Sequence, residues 1–293
     1  MIEIEQCPVC QGRDIAEKYP ATFSGTPSDA VQFFLTNRER AVRGRIAECK
    51  DCGFIFTSPQ FTSEEYDFIY SQVASSWSKD ESQTTSEHAR FAGLAKALRR
   101  HASGGRLLDF GCGSGAFLEQ IPEFDAIGFE VDSEKSDWDG KVFRGSVDDA
   151  RQQSSEFADG SFDIITAWDV LEHLPKLDQS LDQIYAMLKP GGLFVFTVPN
   201  VGSAAAKLTG RFWNSFLLEH IWYFRPGTID RILTRRGFVK ESIKGIPFPA
   251  DLNLVARRIR QTLQMPAPTK PNKGSTVLPL PIGLMIGVFR KPR

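Results

Sequence analysis

The residues best suited to binding a charged ligand lie in one stretch, where an apolar run ends in Asp109 and the glycines Gly111, Gly113 and Gly115 follow. Glycine lets the backbone adopt positive φ angles and approach a ligand without a Cβ clash. A helix that begins behind such a turn presents unpaired N–H groups to an anionic group. Glu130 closes the next apolar run and is placed to accept hydrogen bonds from two ribose hydroxyls. The stretch therefore predicts a strand, a tight turn and a helix that together hold a charged ligand.

Two classes of cofactor bind to a glycine loop of this kind, and Asp109 distinguishes them. A dinucleotide fold has the pattern G-x-G-x-x-G and rests a pyrophosphate on the helix N-terminus. Here the third glycine comes one residue early, and a carboxylate directly before the turn would repel a pyrophosphate. The same carboxylate suits a ligand with an ammonium and a sulfonium group, whose own carboxylate faces the helix end. S-adenosylmethionine (SAM) meets these demands.

Five motifs in the expected order and spacing resemble those of the class I SAM-dependent methyltransferases. They are residues 107–115, 128–132, 161–165, 171–174 and 188–192. The resemblance covers roughly 105–245 and implies an α/β fold, a Rossmann-like seven-stranded sheet that is mostly parallel with its last strand antiparallel. It implies a cofactor site built from Asp109, Gly111, Cys112, Gly113, Gly115, Glu130, Val131, Val147 and Trp168. A glycine turn in another kind of α/β domain is the alternative.

Apolar runs predict where the strands of this sheet lie, and such runs are typical of a parallel sheet buried on both faces. The predicted strands are 107–110, 126–130, 142–143, 162–167, 193–198, 238–244 and 284–290. Helical patterns occur at 63–70, 87–101 and 251–263, with a polar loop at 71–86. Cofactors bind at the carboxyl ends of such strands, so residues at those ends are the functional candidates.

Four cysteines form two C-x-x-C pairs, Cys7 with Cys10 and Cys49 with Cys52. Four thiolates at this spacing suit one tetrahedral Zn²⁺ with no open position, which predicts a structural metal. With strands at 31–35, 42–48 and 54–57, residues 1–60 are expected to form a zinc ribbon. It resembles the N-terminal ribbon of many bacterial methyltransferases of sugar and natural-product pathways, where it helps cover the substrate cleft. Chance cysteine pairs or a redox dithiol are the alternatives.

A second region concerns the acceptor of the methyl group. Residues 201–225 resemble a family insert that can form a mobile cover over the pocket, and the Glu219–His220 pair offers an imidazole beside a carboxylate. Such an imidazole suits a general base near neutral pH. His173 is a further catalytic candidate, and all three residues could instead be structural. Relatives that methylate a sugar carbon have a tyrosine where this chain has Leu217, and they carry a further C-terminal domain.

Charge and hydropathy narrow the function classes. The 293 residues carry 35 Lys+Arg against 36 Asp+Glu, so no strong field attracts nucleic acid or an acidic membrane. The N-terminus lacks the pattern of a signal peptide, and the longest apolar run is broken by Pro279 and Pro281. A cytoplasmic protein is expected, with a zinc ribbon (1–60), a helical connector (61–104) and a methyltransferase domain (105–293). The predicted reaction is methyl transfer from SAM to a sugar or secondary metabolite. The alternatives are RNA or protein methylation and a non-catalytic SAM-binding scaffold.

Overall fold

The computed structural model describes residues 1–34, 42–73, 81–131, 141–251 and 277–293. Within them the strands are β1 (Ile15–Tyr19), β2 (Ile46–Cys49), β3 (Ile55–Thr57), β4 (Arg106–Phe110), β5 (Asp125–Glu130), β6 (Val142–Arg144), β7 (Phe162–Trp168), β8 (Leu188–Pro199), β9 (Trp222–Tyr223), β10 (Val239–Asp251) and β11 (Val277–Arg290). The α-helices are α1 (Pro27–Ala30), α2 (Ser63–Val73), α3 (Glu81–Leu98), α4 (Val147–Gln153), α5 (Leu177–Met187), α6 (Ala204–Thr209) and α7 (Pro226–Thr234).

A seven-stranded sheet forms the centre of the fold, in the order β10-β11-β8-β7-β4-β5-β6. The five strands β8, β7, β4, β5 and β6 are parallel to one another. Strand β11 is antiparallel to both β8 and β10. The predicted fold class is therefore confirmed, including the antiparallel last strand. Because β4 lies inside the sheet between β5 and β7, Asp109 and the glycines that follow it lie at the middle of the carboxyl edge.

Two predicted helix starts are short turns in the structure, and proline explains both. Behind the glycine loop only a 3₁₀ turn forms, at Leu118–Gln120. Pro122 follows, and in a helix interior its ring would clash with the carbonyl four residues earlier. Similarly, Leu171–His173 is a 3₁₀ turn and α5 begins only at Leu177. Pro175 disfavours helical backbone angles at the residue before it, which separates the two elements.

Other boundaries also differ from the prediction. The expected strand at 31–35 is wrong, because Thr26 caps α1 with a capping box and a 3₁₀ turn follows at Val31–Phe33. The expected strand at 42–48 starts only at Ile46, since the Arg43 carbonyl accepts hydrogen bonds from Thr22 and Phe23 instead. The expected loop at 71–86 includes the end of α2 and the start of α3. The helix predicted at 251–263 begins on the last residue of β10 and otherwise lies outside the described residues.

A second sheet joins the N-terminal module to the insert at 201–225. Its order is β1-β2-β3-β9, and all its pairings are antiparallel. Strand β9 comes from the insert, and its residues Trp222 and Tyr223 pair with Phe56 and Ile55 of β3. The Phe54 ring stacks on Trp222 with 6.1 Å between the ring centroids. The insert therefore contributes a strand to the N-terminal sheet.

One hydrophobic core runs through both sheets. It includes Cys7 and Phe54 at the N-terminal module and Phe194 and Phe289 in the central sheet. At the end of α7, the Arg235 guanidinium donates hydrogen bonds to the carbonyls of Val9 (3.0 Å) and Pro8 (3.3 Å). These contacts hold the first cysteine pair against the end of α7.

In the described parts of the chain, no helix combines the length and the apolar character that a membrane span needs.

Close packing of β8 against β11 gives the first testable prediction. A Cβ atom added at Gly287 would lie 2.3 Å from Cζ of Phe196, so Gly287→Ala should lower the free energy of unfolding by about 1–3 kcal/mol. The matched control is Gly93→Ala in α3, where nothing lies within 4 Å of the new Cβ. It should stabilise the protein by roughly 0.5–1 kcal/mol. Urea unfolding of both variants measures this, and equal stabilities would contradict the packing described.

Candidate functional site

The glycine loop has the conformation that its sequence predicts. Gly111, Gly113 and Gly115 have φ angles of 74°, 54° and 80°. The N–H groups of Gly111 and Cys112 donate to the Phe129 carbonyl at 2.8 and 3.0 Å, which ties the loop to β5. A Cβ atom at Gly111 would lie 2.6 Å from Cγ2 of Val170. Both the backbone angle and the space therefore require glycine at this position.

Glu130 is fixed at the loop by backbone donors. Its Oε2 accepts from the Gly113 N–H at 2.7 Å and its Oε1 from the Val131 N–H at 3.0 Å. Val131 itself is 56% exposed at the end of β5. The carboxylate thus lies at the mouth of the loop, where the sequence places a ribose-binding group.

Cys112 lies in the loop but is buried. A Cβ atom at Gly128 would lie 2.6 Å from its Sγ, so the thiol fills the space that this glycine leaves. Its side chain acts as a small packing group between the loop and β5, and its backbone shapes the loop.

Asp109 lies at the end of β4 with only 1% of its surface exposed. One of its carboxylate oxygens accepts from Thr166 Oγ1 at 2.7 Å. Burial raises its pKa to about 7; the Thr166 hydrogen bond lowers it, the Glu130 charge raises it, and the Arg90 charge lowers it. A cationic ligand above Asp109 would restore the charged carboxylate.

Two further predicted cofactor residues lie at the end of β7 and at the start of α4. Trp168 is buried at the end of β7, with its ring edge-on to Phe117 at 4.9 Å. Val147 is the buried first residue of α4, and Ser146 before it caps the helix by accepting from the Asp149 N–H at 3.0 Å. Ser146 therefore has a helix-capping role directly after Gly145.

The residue after Trp168 has an unusual backbone. Asp169 has a φ angle of 55°, which is uncommon for a residue other than glycine and is often found at functional sites. Its carboxylate accepts from Thr197 Oγ1 at 2.6 Å and forms an ion pair with Arg90 of α3. Sequence reasoning did not select Asp169 or Arg90, because the ion pair joins elements far apart in the chain.

A second cluster combines Glu172, His173 and His220, each with one potential ligand atom within 4.8 Å of the other two. The two imidazole rings meet edge to face, with 4.6 Å between their centroids. The sequence named His173, Glu219 and His220, and the structure brings them together. Glu219 is buried, with 3% of its surface exposed.

Backbone carbonyls orient both imidazole rings. His173 Nδ1 lies 3.0 Å from the Glu219 carbonyl, and His220 Nδ1 lies 2.8 Å from the Ser215 carbonyl. Because a carbonyl only accepts, the Nδ1 atom carries the hydrogen in each ring. In the neutral rings Nε2 is then the basic atom, which can take a proton or bind a metal.

Glu172 is the member of this cluster that sequence reasoning missed. It is 1% exposed, and neither carboxylate oxygen has a hydrogen-bond partner. Burial first, and then the Asp169 charge, raises its pKa well above the ordinary value. The dipeptide Glu-His occurs at 87–88, 172–173 and 219–220, so this pattern alone does not distinguish Glu172. A buried carboxyl with two imidazoles can relay protons or bind a divalent cation.

The cofactor loop and the histidine cluster share two neighbours. Burial raises the pKa of Tyr70 well above its ordinary value, and Glu219, Glu130 and Glu172 all add to the shift through their charges. Tyr70 therefore lies within electrostatic range of both halves of the site. Arg90 likewise acts on both Asp109 and Glu172. Trp77, the other aromatic residue predicted at the cleft, lies outside the described residues.

The four cysteines of the N-terminal module also lie together, within 4.8 Å of one another. Sγ–Sγ distances are 3.6 Å for Cys7–Cys52 and 3.5 Å for Cys10–Cys49. Four sulfurs about 2.3 Å from a tetrahedral Zn²⁺ would be about 3.8 Å apart, whereas a disulfide is about 2.05 Å long. The donor set and the spacing fit zinc.

Comparison with known families agrees with this geometry. The sequence profile of a family described as a methyltransferase domain matches residues 83–243, which is more than half of the chain. The chain belongs to this methyltransferase family. With the strand order described above, the match identifies a class I SAM-dependent methyltransferase domain.

Individual relatives are more distant. The chain is similar to the ubiquinone biosynthesis O-methyltransferase of Nitrosococcus oceani, with 30% identity over 141 residues, 45% of this chain and 60% of that one. The protein of the same name from Nitrobacter winogradskyi is 34% identical over 122 residues, 40% of this chain and 43% of that one. A solved SAM-dependent methyltransferase from Archaeoglobus fulgidus has a TM-score of 0.45 and 20% identity, and the alignment covers 69% of this chain and 94% of that one. The first two matches span less than two thirds of those relatives.

The raised pKa of Asp109 gives the second prediction. Between about pH 4 and pH 7 the folded protein holds a proton on Asp109 that the unfolded chain has lost, so the free energy of unfolding falls as pH rises. The fall amounts to up to about 4 kcal/mol at 1.36 kcal/mol per pKa unit. Asp109→Asn mimics the protonated form. In SAM-free protein it should remove the part of the pH dependence of the free energy of unfolding that comes from Asp109.

Urea unfolding from pH 4.5 to 7.5 measures the slope. Glu172 contributes in the same direction, so part of the slope should persist in Asp109→Asn. Asp163→Asn is the control. The Lys189 contact holds the pKa of the Asp163 carboxyl below its ordinary value despite burial, so this carboxyl is ionised across the whole pH range of the experiment. An Asp109→Asn slope identical to that of the wild type would refute the raised pKa.

Proposed function

We propose that this protein transfers the methyl group of SAM to a small-molecule acceptor. SAM would lie over the glycine loop, with Glu130 on its ribose hydroxyls and Asp109 facing its ammonium group. The backbone of 111–115, together with Val131, Val147 and Trp168, would border the rest of the cofactor. When bound, SAM supplies an electrophilic methyl group on its sulfonium.

The observation that supports catalysis most strongly is the histidine cluster beside the cofactor loop. A scaffold that only binds SAM needs no pair of oriented imidazoles, whereas an acceptor hydroxyl needs a base. His220 would take the acceptor proton at Nε2, because its Nδ1 is engaged by the Ser215 carbonyl. His173 and Glu172 would stabilise the imidazolium that forms, and Glu219 helps to place His173 through its carbonyl.

The acceptor class is the finer part of the proposal. The relatives above are named for O-methylation in ubiquinone biosynthesis, a reaction on a small molecule. The N-terminal module resembles that of sugar and natural-product methyltransferases. We therefore favour a sugar or secondary metabolite that presents a hydroxyl group near His220. RNA or protein methylation fits less well, since the charge of the chain is balanced.

We further propose that Cys7, Cys10, Cys49 and Cys52 hold one structural zinc ion. Four cysteine ligands complete a tetrahedral site and leave no position for a substrate. Burial raises the pKa of Cys7 well above its ordinary value and that of Cys52 to about 11, so metal binding would displace protons from these thiols. The metal would then hold the sheet that includes β9 and would thereby position His220.

The zinc proposal predicts about one zinc per chain in purified protein, measured by elemental analysis. Cys49→Ser should lose the metal and lower turnover, because β2 and β3 support the strand that follows His220. Cys112→Ser is the matched control and should keep the zinc, since this cysteine lies in the glycine loop. Zinc-free protein prepared without chelators would refute the proposal.

The catalytic proposal predicts that His220→Ala keeps SAM affinity within about twofold while turnover falls roughly 10²–10⁴-fold, the range for loss of a general base. Glu219→Gln should fall less, since its carbonyl remains. Calorimetry measures SAM binding, and release of S-adenosylhomocysteine with a panel of hydroxylated acceptors measures turnover.

Two controls make this experiment specific. His88→Ala removes an exposed imidazole on α3 and should change nothing. Glu130→Gln should weaken SAM binding by about 1–3 kcal/mol, as expected for hydrogen bonds to a charged group. A fully active His220→Ala enzyme would transfer the role of base to His173. A chelator could abolish turnover while the protein keeps the zinc of its cysteine site. That result would indicate that Glu172, His173 and His220 bind a divalent cation.

A further inference from the structure

Arg43 is a buried arginine that neither the zinc site nor the catalytic cluster uses. It lies just before β2, where its backbone carbonyl accepts from the N–H groups of Thr22 and Phe23 at 3.0 and 3.1 Å. Only 7% of its surface is exposed. Its position is thus fixed by the backbone, and its side chain is enclosed.

The Arg43 guanidinium has no counter-ion among the residues that the structure describes. Its buried Nε atom has no hydrogen-bond partner, and no carboxylate of the described residues forms an ion pair with it. Arg45, two residues on, differs because it pairs with Glu3 and donates to the Ser58 carbonyl at 2.6 Å. Arginine cannot shed its proton to escape burial, so an unpaired buried guanidinium is costly. A group that remains so in a folded protein calls for an anionic partner from outside the chain.

The surroundings of Arg43 are rich in hydrogen-bond donors and cations. Burial lowers its pKa, and the groups that act on it electrostatically are Tyr223, Arg211 and Tyr19. The segment that carries Arg211 approaches the same place, because a Cβ atom at Gly210 would lie 3.9 Å from the Tyr19 hydroxyl. A carboxylate is missing from this set.

A second buried donor lies in the same part of the insert. Trp213 is 1% exposed, and its indole Nε1 has no hydrogen-bond partner. Its ring packs on Phe216, which in turn packs on Tyr223 and Tyr19. Two buried nitrogens without partners, one from the N-terminal module and one from the insert, thus border one apolar cluster.

This cluster adjoins the histidine site. The Tyr223 hydroxyl donates to the His220 carbonyl at 2.8 Å, and Thr57 Oγ1 donates to the same carbonyl at 3.0 Å. An anion held near Tyr223 would therefore lie close to the backbone of His220.

We propose that Arg43, with Arg211 and the indole of Trp213, forms a subsite for an oxyanion carried by the methyl acceptor, a phosphate or a carboxylate. The inference rests on the proposed function for the identity of the bound molecule. The planar guanidinium suits this role because it binds both kinds of oxyanion through two parallel hydrogen bonds. The bound anion would neutralise Arg43 and fix the acceptor at one end, while His220 acts at the other.

The test titrates pyrophosphate, inorganic phosphate and acetate into the full-length, zinc-loaded protein by calorimetry. Wild-type protein should bind at least one of these probes, and Arg43→Met should bind it about 10–100-fold more weakly, as for loss of a charge-assisted pair. The matched control is Arg99→Met, which removes an exposed arginine paired with Glu123 and should bind as the wild type does. Preference for the phosphate probes supports a phosphorylated acceptor, and preference for acetate supports a carboxylate.

Thermal unfolding without added anions separates binding from a structural role. Arg43→Met should melt at the same temperature as the wild type or higher, because it removes an uncompensated buried charge. Pyrophosphate should then raise the melting temperature of the wild type and of Arg99→Met but not of Arg43→Met. No binding of any probe, or equal binding by Arg43→Met, would overturn the proposal.

Failure of this proposal is distinguishable from failure of the proposed function. Anion binding is measured without SAM or turnover, and Arg43→Met should keep wild-type SAM affinity. A protein that binds SAM and releases S-adenosylhomocysteine but no anion would overturn the oxyanion subsite alone. Arg211 lies on the exposed side of the cluster, so Arg211→Met should weaken anion binding less than Arg43→Met does.

Discussion

The pairing of β3 with β9 is the interaction on which the arrangement of the site depends. Two residue pairs, supported by the stack of Phe54 on Trp222, join the cysteine-bearing module to the insert of the methyltransferase domain. His220 comes directly before this short strand, and its carbonyl accepts hydrogen bonds from Thr57 and Tyr223. A strand of two residues would be marginal alone, so it takes its stability from the sheet that it completes. The position of His220 is therefore coupled to the integrity of the module.

Unpaired charge in the interior is the second theme of this structure. Asp109, Glu172 and Arg43 are all more than nine-tenths buried. The two carboxyls can reduce the cost of burial by holding a proton, which is the direction of both pKa shifts. Arg43 has no such route, because an arginine side chain stays protonated in proteins. At each of these groups, a ligand of the opposite charge would stabilise the charged form of the side chain.

In the cluster of Glu172, His173 and His220, backbone hydrogen bonds fix the orientation of the two imidazole side chains. Each imidazole is oriented by a carbonyl, and one of these carbonyls belongs to Glu219, the residue beside the other histidine. The 3₁₀ turn at Leu171–His173 and the insert therefore hold each other in place. Because the Ile221 N–H, directly after His220, also donates to the Glu172 carbonyl at 2.8 Å, main-chain atoms join the segments that carry His173 and His220. Side-chain identity supplies the chemistry, and main-chain hydrogen bonds supply the positions.

The sequence by itself determined the fold class and the two local motifs. A glycine loop and a C-x-x-C pair are defined by residues a few positions apart, so backbone geometry and metal-ligand spacing can be inferred without tertiary contacts. The order of the strands follows from the resemblance to a known family. The predicted boundaries of helices and strands were wrong where proline or a helix cap overrides the pattern of apolar residues. Examples are the turn before Pro122 and the capped helix α1 ahead of the strand predicted at 31–35.

Only the tertiary structure decided which residues from distant segments meet. Glu172 joins His220 across 48 positions, Arg90 pairs with Asp169 across 79, and Arg43 comes to lie beside Tyr223 across 180. Burial and the lack of a counter-ion are properties of the packed chain, since any of these side chains could equally be solvated in an extended one. The physical reason is that a pKa shift or an orphaned donor depends on everything packed around it, and a sequence records only neighbours along the chain.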